Sequence, residues 1–69
     1  MNIKLIILEI LKSNPEIGRQ KFDRIYYAKV DYSKNWVDVV KELRIDGLIE
    51  EDKLGITQKG LDFLKKHSQ

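Results

Sequence analysis

Apolar residues along the chain recur in clusters separated by short polar breaks, and the spacing inside each cluster predicts its secondary structure. The first cluster, Ile3 to Ser13, begins with seven apolar residues in the nine positions 3–11. At 100° per residue Ile3, Ile7, Ile10 and Leu11 share one face, which predicts a helix. Asn14-Pro15 ends it, because a residue before proline avoids the helical region. Leu5 and Leu8 fall outside that face.

After Gly18, the apolar residues Phe22, Ile25 and Tyr26 recur at helical spacing with Arg19, Lys21, Arg24 and Lys29 around them. A second helix over 19–28 is expected, followed by a turn at Val30-Asp31-Tyr32. In the third cluster Trp36, Val39, Val40 and Leu43 fit one core-facing stripe of a helix over 33–46. Ser33 can cap its start, with Asp31 as the competing cap. Gly47 supplies the left-handed residue that commonly closes a helix. Residues 48–51 read as a short strand, Asp52-Lys53 as a turn, and 54–56 as an antiparallel return. Thr57 caps a last helix carrying Leu61, Phe63 and Leu64, and Lys65 and Lys66 suit its negative end.

The chain of 69 residues is expected to be a single domain. With no cysteine it has no disulfide or thiolate metal site to supplement a small core. Lysine and isoleucine are abundant, a bias also seen in thermophile proteins. The first apolar run is interrupted by Lys4 and Glu9, is too short to span a bilayer, and lacks a signal-peptide cleavage site. A soluble cytoplasmic protein is the expectation. The formal net charge is only +2. Its distribution is uneven: residues 18–35 hold five basic and two acidic side chains, whereas 36–52 hold two basic and six acidic ones. Such asymmetry orients a protein beside a polyanion.

Three stretches resemble a known group of proteins. They are Ile7 to Leu11; Arg24-Ile25-Tyr26-Tyr27-Ala28-Lys29; and Val40-Lys41-Glu42-Leu43 through Asp46-Gly47-Leu48-Ile49, continued by Ile56-Thr57-Gln58-Lys59-Gly60 and Phe63-Leu64. Together the chain resembles the small archaeal winged helix-turn-helix proteins of the chromatin-associated and transcription-regulator type. The resemblance implies a mainly α fold with a three-helix core, a short two-stranded β-hairpin wing and a C-terminal helix. It also implies binding to double-stranded DNA. Many members extend the last helix into a dimerising coiled coil, which a chain ending at Gln69 is expected to lack. Wings of the group often carry basic residues, whereas this one reads Glu50-Glu51-Asp52-Lys53.

In such a protein the third helix enters the major groove. Lys34 and Asn35 are the candidates for base contact, since lysine reaches guanine and asparagine pairs with adenine. Asp38 and Lys41 share the outward side with Ile45, while Lys21, Arg24 and Lys29, with Arg19, are candidates for phosphate contact. The alternative role for some of these stems is to cover apolar surface. Tyr26, Tyr27 and Tyr32 fit either phosphate contact or packing, and Trp36 belongs to the core stripe. Leu5, Leu8 and Leu61 are the candidate interface of a homodimer. The competing roles are an architectural DNA binder with little sequence preference and a module for protein–protein contact alone.

Chemistry for catalysis is not expected. His67 is the only histidine, and none of Ser13, Ser33 and Ser68 sits in a nucleophile-elbow context. Gly55 and Gly60 form no phosphate loop. Glu50, Glu51 and Asp52 are adjacent acids of the kind that are usually solvated. No cofactor, metal, membrane or small-molecule ligand is expected.

Overall fold

The structure, a computed structural model, describes residues 2–67; Met1, Ser68 and Gln69 lie outside the described residues. Four helices follow one another: α1 (Ile3–Ser13), α2 (Arg19–Lys29), α3 (Trp36–Ile45) and α4 (Gln58–His67). α1 is the central element and packs against α2, α3 and α4. A helix apolar nearly all round is driven to such a place. Ile7, Leu8, Ile10 and Leu11 are buried in it, Ile3, Leu5 and Ile6 are half-buried, and the core continues through Phe22, Tyr26, Trp36, Val40, Leu43, Ile49 and Leu64.

Local chemistry sets each boundary. Asn2 caps α1 by accepting the Leu5 N–H at 3.3 Å, and the Asn14 side chain donates to the Ile10 carbonyl at 2.9 Å where α1 ends. α3 closes at Gly47, whose φ is 79°. There the Leu48 N–H donates to Leu43 O and the Gly47 N–H to Arg44 O, the paired bonds of a Schellman end. Thr57 joins this end to the next helix. Its hydroxyl donates to Gly47 O at 2.7 Å and accepts the Gly60 N–H at 3.0 Å, capping α4.

The expected winged helix-turn-helix with a two-stranded wing is not what forms. Among the described residues there is no strand; segments 48–51 and 54–56 meet only at one isolated antiparallel bridge, Ile49 to Ile56. Its two hydrogen bonds run from Glu50 N to Gly55 O and from Thr57 N to Leu48 O. To lengthen the ladder, Gly55 N–H would have to donate back to the Glu50 carbonyl. That carbonyl instead accepts Arg44 Nε at 2.9 Å, and Lys53 O accepts Arg44 Nη2 at 3.3 Å. A side chain of α3 thus takes up acceptors of the loop and holds it as a tied turn. The described residues form a small all-helical globule of four helices.

α3 also starts later than its expected caps implied, at Trp36, the first residue of its apolar stripe. Ser33 and Asp31 do not cap it. Asn35 does, accepting the Val37 N–H at 2.8 Å. Residues 31–34 form a separate turn, closed from Lys34 N to Asp31 O at 3.0 Å and held by the Tyr26 hydroxyl, which donates to Lys34 O at 2.9 Å.

Candidate nucleic-acid interface

Aromatic packing fixes how α2 and the start of α3 meet. The Phe22 ring meets the Trp36 ring edge-on at 4.8 Å and runs nearly parallel to Tyr26 at 6.2 Å. Trp36 is 5% exposed, in the core as its stripe required. Its indole N–H donates to Asp23 Oδ1 at 2.8 Å. A buried indole needs such a partner, and α2 supplies it from its second turn. The guanidinium of Arg19 lies 5.5 Å from the centre of the Trp36 ring, within the range of cation–π attraction.

Two neighbouring clefts open on either side of this junction. One lies between α2 and the 31–35 turn and is lined by Arg19, Asp23, Arg24, Tyr27, Tyr32 and Asn35, among others. The other runs along α3 to the tied loop and is lined by Arg19, Val37, Lys41, Arg44, Lys53 and Leu54, among others. Arg19, Trp36 and Val37 belong to both. The result is one stripe carrying the cations Arg24, Arg19, Lys41, Arg44 and Lys53 and the single carboxylate of Asp23. That carboxylate is engaged by the Trp36 indole. None of the acids in segment 36–52 lines either cleft.

The expected site residues are distributed unevenly over this surface. Arg24, Asn35 and Lys41 lie on the stripe. Lys21, Lys34 and Asp38 are exposed but line neither cleft, and Lys29 lines a separate groove between α1 and α2 with Leu5, Ile6, Ile10 and Ile25. Asn35 has its side-chain oxygen committed to the helix cap. An adenine that used both halves of its amide would therefore have to share that oxygen with the cap. Arg44 and Lys53 were not singled out by the sequence, and Arg19 was secondary there. Helical spacing does carry part of the signal, since Val37, Lys41 and Arg44 are four and three residues apart and so share a face.

The three leucines expected to form a dimer patch do not converge. Leu8 is 0% exposed, inside the core. Leu5 lines the groove between α1 and α2, whereas Leu61 lines a different cleft with Leu11, Pro15 and Ile56. Leu8 is unavailable because α1 is packed by three helices rather than one, which widens its buried face. His67 is exposed, with its ring 4.3 Å from Phe63. Among the described residues no three His, Asp or Glu side chains are grouped to hold a metal ion, and no helix is long and apolar enough to cross a membrane.

No protein-family model, no curated protein and no solved structure matches the chain. The likeness to archaeal DNA-binding proteins therefore has the sequence motifs alone behind it.

Proposed function

We propose that this protein binds double-stranded DNA through the stripe that runs from α2 across the start of α3 to the 48–57 loop. The observation that carries the reading is the stripe itself: five cations converge on one concave surface from which the acids of α3 and the loop are absent. Lysine and arginine so arranged meet phosphates, displacing condensed counterions. Contacts of that kind position a protein on a duplex without reading its sequence. With Asn35 committed to its cap, the reading is of a binder with low sequence preference. α3 offers Val37 and Lys41 toward the duplex, with Arg19 and Arg24 on one flank and Lys53 on the other. With that activity the protein belongs in the cytoplasm, with the nucleoid.

Fluorescence anisotropy on a labelled 20-base-pair duplex tests this. If about five phosphates are neutralised, log K falls with log salt at a slope of about −4.5, so affinity drops ~500-fold between 50 and 200 mM salt. Arg24→Ala, Lys41→Ala and Lys53→Ala each remove one exposed cation and should each flatten the slope by ~1. Absence of binding at 50 mM salt, or a slope untouched by the triple variant, would refute the proposal.

A further inference from the structure

Tyr32 is 80% exposed, although tyrosine has a large apolar ring to hide. Its position is not loose. The ring stacks on Tyr27 with centroids 4.6 Å apart and planes 11° from parallel. Tyr27 in turn meets the buried Tyr26 edge-on at 5.0 Å. The 31–34 turn that carries Tyr32 is tied to Tyr26 through the Lys34 carbonyl. A chain of aromatic contacts thus runs outward from the core and fixes a ring at the surface. One face of that ring is covered by Tyr27, and its high exposure leaves the other face open.

The same cleft carries Arg24 and Arg19. An open aromatic face beside guanidinium groups matches a nucleotide, whose base stacks and whose phosphate is anionic. It matches an unpaired nucleotide in particular. In the interior of a duplex both faces of a base are covered by its neighbours, and a terminal pair opens only its outer face, so an unpaired base is the one that lies freely on a protein ring. We infer that the cleft between α2 and the 31–35 turn takes an unpaired nucleotide, its base laid on the open face of Tyr32 and its phosphate against Arg24. The inference rests on the DNA-binding reading and adds to it a preference for duplex ends or junctions that carry a single-stranded tail.

The test compares two labelled probes at one salt concentration: a blunt 20-base-pair duplex and the same duplex with three adenine nucleotides added at each 3′ end. The tailed probe should bind about tenfold more tightly, the scale of one base–aromatic stack. Tyr32→Ala should erase that gain, so that tailed and blunt probes bind alike, and Tyr32→Phe should keep it. Because Tyr32 is exposed, both variants should fold, which circular dichroism checks. Equal affinity for the two probes, or a gain that survives Tyr32→Ala, overturns the inference while leaving duplex binding in place. Binding to neither probe overturns both.

Discussion

Replacing Gly60 by alanine should be among the most damaging single-atom additions this chain can suffer. Gly60 lies in the first turn of α4, where the helix crosses the 48–57 loop. A Cβ built there would stand 2.3 Å from the Leu48 carbonyl oxygen and 2.6 Å from Ile56 Cγ1. Ordinary contacts are about 3.3 Å for carbon to oxygen and about 3.5–4.0 Å for carbon to carbon, so one element must retreat by roughly 1 Å. Leu48 is not free to do so, since its carbonyl accepts the Thr57 N–H and its N–H is bound to Leu43 O. Forcing such an atom into a packed site costs about 1–3 kcal/mol, and each hydrogen bond lost as α4 moves costs about 1 kcal/mol more. Against this, alanine favours a helix over glycine by about 1 kcal/mol. The net expectation is a loss of about 2–3 kcal/mol, or a fall in Tm of roughly 10–20 °C for a domain of this size. Thermal and urea denaturation followed by circular dichroism would measure it, with Lys65→Ala as an exposed control on the same helix. If Gly60→Ala melts at or above the parent temperature, helix propensity has won and the close approach of α4 to Leu48 is wrong.

Two further stability measurements probe separate joints. Gly47→Ala should cost about 1–2 kcal/mol, because its φ of 79° is unfavourable for any residue with a Cβ while the added atom would meet only the Lys59 side chain, at ordinary contact distance, and urea midpoints would show a null effect if the Schellman end were absent. Tyr26→Phe removes the hydroxyl that holds Lys34 O and should cost about 1 kcal/mol at neutral pH. Burial, and secondarily Tyr27, raises the pKa of Tyr26 above 10.0, so the folded state holds the phenolic proton more tightly than the unfolded chain. The stability this provides is complete below pH 10 and is lost as pH rises from there through the folded-state value. The parent should therefore lose stability above pH 10 faster than Tyr26→Phe, and parallel curves would contradict the burial of that hydroxyl.

The helices were largely legible from the chain because their signals are local. The bounds of α1, the stop at Gly47, the cap at Thr57 and the burial of Trp36 each follow from neighbouring residues, and the structure has them. What failed depended on partners distant in sequence or on competing local bonds. Leu8 looked surplus on a wheel that assumed one packed face, but α1 is surrounded. Ser33 looked like a cap until the Tyr26 hydroxyl drew residues 31–34 into their own turn. The wing was expected from two short aliphatic runs, yet two runs of that length gain little from pairing, since an isolated two-stranded hairpin is marginal at best. Arg44, six residues before Glu50, took the carbonyl that a longer ladder needs.

The cationic stripe shows why charge counted along a chain misleads. Segment 36–52 looked acidic, although its helix was the one expected to enter the major groove. A helix sorts its residues by angle, not by order. On α3, Lys41 and Arg44 fall beside Val37 and look into the cleft, whereas Asp38 and Glu42, four apart, fall on the next face and line neither cleft. The tied loop then adds Lys53, brought alongside because its carbonyl is held by Arg44. The side chain that occupies the Glu50 carbonyl is thus the same one that holds Lys53 beside the basic surface. An Arg44→Met variant, which keeps the apolar stem and removes both the charge and the tether, should therefore weaken duplex binding more than Lys41→Ala does, since Lys53 is released with it. Equal losses in the two variants would mean that Lys53 reaches the duplex without Arg44 to position it.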